Sequence, residues 1–186
     1  MRRFPRSAFL IVLVALWSVS EESAAQDLVP AEPFLQRGFR ELQLGTPYLT
    51  VQTALEADFY FNYRGEPDVS LAPGNGGEVI DTDGRGYVSR GLFQFQDGAL
   101  YIIALYLDRQ RLDYFQLYNR LQDRYGPPLD LNPQRAVWQD RLTRIELERP
   151  LTVRYLDLET FEVRRRERRA LEAIEDMTRE QFLEEF

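Results

Sequence analysis

The chain of 186 residues contains no cysteine, no histidine and no lysine. Without cysteine, no disulfide supports the fold, so stability must come from a buried apolar core. Without histidine, Ser-His-Asp and Cys-His catalysis are excluded, together with metal sites built on His or Cys ligands. Any chemistry is therefore left to Asp, Glu, Tyr, Arg and Ser, and we expect no cofactor and no metal site.

The chain also has fewer basic than acidic residues. The 23 basic residues, all arginine, are outnumbered by 30 acidic residues, which gives a net charge of −7. Nucleic acids and anionic membranes attract cationic surfaces. We therefore expect neither of them to be the main partner of this protein.

The first residues have the pattern of a signal peptide. Three arginines precede an apolar run of 12 residues, Ala8–Val19, and small residues follow up to Ala25. This pattern predicts a signal peptide over residues 1–25, cleaved after Ala25. An uncleaved anchor is the alternative, but a helix that crosses a bilayer needs about 20 residues. A lipid anchor would require a cysteine, so we expect an exported protein, periplasmic or secreted, with no lipid anchor.

Local patterns then predict helices alternating with strands. Thr46 and Pro47 are typical of a helix start, and the apolar spacing that follows extends a short helix to about Ala57. Asp108 is expected to cap a second helix, and Gly126 to end it. The apolar stripe of that helix is Tyr114, Leu117, Tyr118, Leu121 and Tyr125.

Two hairpins are predicted from β-rich runs that flank short turns. The first turns at Asp97-Gly98, a pair that favours positive φ, and the second turns at Asp140-Arg141. A further strand is expected over residues 151–155. Antiparallel strands beside amphipathic helices predict an α+β, two-layer sandwich with the sheet packed on helices.

The order of these elements suggests an internal repeat. Phe95-Gln96-Asp97 and Trp138-Gln139-Asp140 both end a strand, and a helix precedes each. We interpret this as two helix-hairpin repeats, the alternative being chance similarity between two ordinary hairpins. The predicted division is a linker over 26–38, an α+β domain over 39–156 and a charged C-terminal helical extension over 157–186. A capping box at Thr178 predicts a separate last helical turn.

A long loop over residues 64–78 supplies the preferred binding site. Tyr63, Arg64, Glu66 and Asp68 set an aromatic ring, a guanidinium group and two carboxylates at its start. A guanidinium group suits a carboxylate or a phosphate, because it donates two parallel hydrogen bonds. The structural alternative is that Arg64 pairs with Glu66 or Asp68, and that Tyr63 packs at the rim of the core.

Two acidic motifs are weaker candidates. Asp97 and Asp140, on matching turns, could act as the acid and base of a glycosidase, although both turns use Asp for backbone hydrogen bonding. The segment 81–84, Asp-Thr-Asp-Gly, resembles part of a calcium loop. Val79 and Arg90, however, occupy positions where such a loop carries carboxylates. We predict an ordinary turn there.

An arginine cluster over residues 164–169 has two explanations. It could face an anionic lipid surface. Glutamates at helical spacing surround it, however, which favours a solvated helix with ion pairs along its own surface. The neighbouring glutamates are Glu159, Glu162, Glu167 and Glu172.

Several of these pieces resemble one known family. Leu44-Gly45-Thr46 before a short helix, the helix end at Tyr125-Gly126-Pro127 and the hairpin over Phe93–Leu100 are similar to the outer-membrane assembly lipoproteins of the SmpA/OmlA type. The resemblance implies a two-layer α/β fold like that of β-lactamase-inhibitor proteins, and a non-catalytic periplasmic adaptor or scaffold. The chain departs from that family because it lacks the lipidated cysteine.

The sequence therefore predicts an exported, envelope-associated binding or scaffold module that is not an enzyme. Its expected partner is a protein of the cell envelope. The alternative is a small hydrolase that uses Asp and Glu.

Overall fold

An eight-stranded antiparallel sheet organises the fold. The structure is a computed structural model that describes residues 35–71 and 77–186. The strands follow the order β3-β4-β5-β6-β10-β9-β8-β7 across the sheet, and β1 pairs with β2 in a separate small hairpin. The strand bounds are β1 Gly38–Phe39, β2 Leu42–Gln43, β3 Val69–Leu71, β4 Glu78–Asp83, β5 Val88–Gln96, β6 Ala99–Leu107, β7 Asp130–Leu131, β8 Arg135–Gln139, β9 Thr143–Glu148 and β10 Thr152–Asp157.

Two helices cover one face of this sheet, which we call the inner face. Helix α1 (Tyr48–Ala57) buries Val51 and Leu55, and α2 (Tyr114–Tyr125) buries Leu121. The other apolar residues of the predicted α2 stripe pack against the same core. The strands supply alternate side chains, which is why Phe93 and Phe95 of β5 are both buried. The predicted α+β architecture, with an antiparallel sheet packed on helices, is confirmed.

The fold consists of two similar halves. In each half a helix precedes four antiparallel strands, α1 before β3–β6 and α2 before β7–β10, and the last strands of the two halves, β6 and β10, pair in the middle. In this arrangement the turn at Asp97-Gly98 corresponds to residues 149–151, whereas Asp140 lies one hairpin earlier. The predicted match of Asp97 with Asp140 was therefore wrong by one strand. The two turns look alike in the sequence because each carries an Asp that accepts local hydrogen bonds.

The hairpins follow the prediction, but three helix boundaries do not. Asp97 and Gly98 both have positive φ, 51° and 75°, as the first turn requires. The side chain of Thr46 forms no capping hydrogen bond. The Thr46 carbonyl instead accepts a hydrogen bond from the Leu100 amide, at the start of β6. The cap of α2 is Asp113 rather than Asp108. Thr178 starts no separate turn, because it lies within one continuous helix.

Parts of the predicted linker and loop are structured. Leu35 is buried, and its amide donates to an Asp140 carboxylate oxygen at 2.8 Å, so residues 35–38 belong to the domain. In the predicted loop, residues 66–68 form a short 3-10 helix, and β3 follows it. The predicted signal peptide, residues 1–25, lies outside the described residues.

The final strand leads directly into a long helix, α3 (Leu158–Leu183). Asp157 caps it by accepting the Thr160 amide at 3.0 Å, and the carboxylate also accepts Nη2 of Arg37 at 2.6 Å. Burial raises the pKa of Asp157, but the bonds from Thr160 and Arg37 outweigh it and hold the pKa below its ordinary value. One carboxylate thus joins the start of α3 to the N-terminal segment of the domain.

We expect Asp157→Ala to cost about 0.5–2 kcal/mol at neutral pH, because a helix cap is lost. Since the folded pKa of Asp157 lies below its unfolded value, its stabilisation is fully present above about pH 4 and is lost as the pH falls through the folded pKa. Urea unfolding of the natural protein and the variant at pH 7 and pH 3 measures the contribution of Asp157 to the free energy of unfolding. Asp176→Ala, on the exposed part of α3, is the control, and an equal deficit of the Asp157 variant at both pH values would contradict the assignment.

Candidate functional site

The sheet face opposite α1 and α2, here called the outer face, is rich in charge. Strand alternation places Ile102 and Arg154 on this face, whereas Ile103 of β6 and Tyr155 of β10 point to the core. Tyr101 reaches the same face because the register between β5 and β6 shifts by one residue between Gln94 and Phe95. Ion pairs cross the strands of this face. Arg90 on β5 holds Asp81 on β4 through two hydrogen bonds.

A cleft of about 230 Å³ lies where the first turns of α3 meet the outer face. Four arginines line it, one from the sheet and three from two consecutive turns of the helix. Among the described residues, no carboxylate lines the cleft. The lining residues are Gln94, Tyr101, Ile102, Arg154, Phe161, Arg164, Arg165 and Arg168.

Three of the four arginines are held by carboxylates outside the cleft. Two are paired along α3, Arg164 with Glu167 at 3.1 Å and Arg165 with Glu162 at 2.5 Å. Such pairs fix the direction of a guanidinium group at small energetic benefit in solvent.

Arg154 and Arg168 differ in their contacts. Arg154 lies 3.3 Å from Glu148 and 3.9 Å from Glu146 on the neighbouring strand. Within residues 35–71 and 77–186, no carboxylate lies within 4.0 Å of Arg168. The guanidinium of Arg168 is therefore available to an anion from outside this part of the chain.

The buried carboxylate of Glu146 on the outer face lies between two arginines. Glu146 is only 5% exposed, and burial raises its pKa. Arg154 and Arg144 oppose this effect, each within 4.0 Å.

Neutral groups complete the cleft. Tyr101 is 9% exposed, and its hydroxyl donates to Oε1 of Gln94 at 3.1 Å. Phe161 adds an aromatic ring from α3. Guanidinium groups beside neutral polar groups suit a carboxylate or a phosphate, which they can bind through charge-assisted hydrogen bonds. The arrangement favours binding of an anion.

The sequence identified only part of this cleft. Of the arginine cluster, Arg164, Arg165 and Arg168 line it, whereas Arg166 and Arg169 do not. Arg154 was missed, although an arginine within an apolar strand pattern is a signal that could have identified it.

The loop predicted as the binding site is closed by its own contacts. The Asp68 side chain is fully buried and accepts Nε and Nη2 of Arg64, at 2.9 and 2.6 Å. Tyr63 packs against the core, and its hydroxyl accepts Nε2 of Gln52 at 2.6 Å, while Glu66 is exposed. These contacts match the structural alternative, and the binding role of these residues stays a prediction.

The two acidic motifs have local roles. Asp97 and Asp140 lie at turns three strand spacings apart, about 14 Å, which is beyond the 5–9.5 Å of glycosidase carboxylates. Asp140 accepts the amides of Leu142 and Thr143. The segment predicted as a turn at 81–84 is instead mostly strand, since β4 continues to Asp83. The Arg90 guanidinium lowers the pKa of Asp81 against the effect of burial.

Two further features are absent from the part of the chain that the structure describes. No group of three carboxylates there is arranged to hold a metal ion. In the same residues, no helix has the length and the apolar content to cross a bilayer.

Comparison with known proteins identifies the domain by its family. Neither a curated protein nor a solved structure matches the chain. The sequence model of the TP0088 domain matches residues 37–167, a segment that contains both halves of the sheet and the first turns of α3. Because this match covers more than half of the chain, the protein belongs to the TP0088 domain family.

Proposed function

We propose that this domain is a non-catalytic binding module that holds an acidic segment of a partner protein in the cleft between α3 and the outer face. The observation that carries the proposal is the lining of the cleft, with four arginines and no carboxylate. The chain as a whole is acidic, so this concentration of guanidinium groups is a local exception. Such a site recognises carboxylates by charge and by paired hydrogen bonds.

We further propose that the protein is exported and works in the cell envelope. The N-terminal pattern favours export, and the resemblance to SmpA/OmlA-type lipoproteins favours an adaptor that binds a protein of the cell envelope. N-terminal sequencing of the mature protein tests the first part, because a chain that still begins at Met1 would contradict cleavage after Ala25.

A titration followed by amide NMR tests the cleft directly. Hexaglutamate peptide serves as the acidic probe and inorganic phosphate as the comparison, both at constant ionic strength. We expect saturable shifts at Gln94 and Ile102 with the peptide. Arg154→Gln/Arg168→Gln should weaken binding about tenfold or more, because hydrogen bonds to charged groups are lost.

The matched control is Arg120→Gln/Arg141→Gln, which removes the same charge from exposed positions outside the cleft. If both double variants weaken binding equally, the effect is one of net charge and the cleft is not the site. Saturation by phosphate at equal affinity would indicate a site for free anions instead of an acidic segment. Loss of binding in Arg64→Ala alone would favour the loop at residues 63–68.

A further inference from the structure

The second half of α3 extends away from its own domain. Leu158 is buried and Phe161 partly buried, but every residue from Arg165 to Phe186 is exposed. This exposed part of the helix, residues 165–183, is about 27 Å long. Most of the stability of helices in proteins comes from packing of an apolar face. We therefore expect an apolar face of this exposed part to pack against a partner.

An apolar stripe runs along the exposed part of the helix. Val163, Ala170, Ile174 and Met177 follow one another at spacings of three, four and seven residues, which places them on one side. Ile174 is 54% exposed and Met177 is 59% exposed. Leu171 and Phe182 widen the stripe, and both are also exposed.

The charges along α3 indicate what covers the stripe. Residues 164–169 contain five arginines and one glutamate, whereas residues 172–185 contain six acidic residues and one arginine. Two copies of α3 side by side in the same direction would place like charges together. Two antiparallel copies would place each basic block against an acidic block.

We propose that a second copy of this chain covers the stripe, and that the two α3 helices pair antiparallel about Ile174. This register sets Ala170 of one copy opposite the region of Met177 in the other, a small residue against a large one. The two domains lie at opposite ends of the paired helices, so they do not collide.

Four charged residues along one edge of the stripe lack ion pairs within the described part of the chain. Arg166, Arg169, Glu180 and Glu184 lie along one side of the helix, and none of them forms an ion pair with another described residue. In the antiparallel register, Arg169 of one copy lies beside Glu180 of the other, and Arg166 lies beside Glu184. The second copy therefore provides the missing partners.

Sedimentation equilibrium of the full chain tests the pairing. We expect reversible dimerisation that weakens as salt is raised, because exposed charges are screened. Arg166→Glu/Arg169→Glu and Glu180→Arg/Glu184→Arg should each raise the dimer dissociation constant about tenfold or more, since like charges then face each other. An equimolar mixture of the two variants should form a heterodimer, because the charges again match.

Cysteine cross-linking tests the register, since the natural chain has no thiol. Ile174→Cys should form an intermolecular disulfide on mild oxidation, and Ala170→Cys should cross-link with Met177→Cys in a mixture. Glu172→Cys, on the opposite side of the helix, is the control. A monomer at all concentrations, a dimer unaffected by both charge reversals, or equal cross-linking at Glu172 and Ile174 would overturn the proposal. Neither double charge variant changes a cleft-lining residue, so the anion titration remains a separate test.

Discussion

Trp138→Ala is expected to destabilise the protein by about 3–5 kcal/mol, which is the usual cost of removing a buried large aromatic side chain. Trp138 on β8 is 2% exposed, and its indole Nε1 donates to the Gly126 carbonyl at 2.9 Å. Its ring also meets that of Tyr118, with centroids 6.0 Å apart. The substitution therefore removes the contact between the sheet and the C-terminal end of α2, together with one hydrogen bond.

Urea unfolding followed by far-UV circular dichroism measures this loss. Phe115→Ala is the matched control, because Phe115 lies on α2 but is 66% exposed, and its truncation should change the free energy of unfolding by less than about 0.5 kcal/mol. Similar costs for the two variants would show that α2 does not pack on the sheet through Trp138.

The sequence predicts much of this core because strand alternation and helix periodicity are local properties. The hairpin at Asp97-Gly98 follows from the preference of these two residues for positive φ. The stripe of α2 follows from apolar residues three and four positions apart. Helix starts are less certain because Asp108 and Asp113 both satisfy the capping rule, and only the second coincides with the packed face.

Local sequence patterns could not predict the cleft. Its polar residues come from four separate elements, with Gln94 on β5, Tyr101 on β6, Arg154 on β10 and Arg168 on α3. They meet because β10 inserts beside β6, at the junction of the two halves. This pairing joins segments that are distant in sequence, and no spacing in the chain reports it. The loop at Arg64, in contrast, was conspicuous in the sequence, yet its own Asp68 occupies the guanidinium group.

Gly91→Val should cost about 1–3 kcal/mol or more, because Gly91 faces the core where two aromatic rings leave no room for a side chain. A Cβ atom at this position would lie 2.6 Å from Cε1 of Phe61 and 2.9 Å from Cε2 of Phe93. These rings form an edge-to-face pair with centroids 5.4 Å apart. The missing side chain of Gly91 thus lets the segment after α1 pack directly on β5.

A double-mutant cycle separates this steric cause from a general effect of changing a strand glycine. Phe61→Leu removes the ring that the new side chain would strike, so Gly91→Val/Phe61→Leu should cost less than the sum of the two single variants. Urea unfolding of all four proteins gives the coupling free energy. Additive costs would mean that the introduced valine side chain and the Phe61 ring do not compete for space, and that the packing of Phe61 on β5 is wrong.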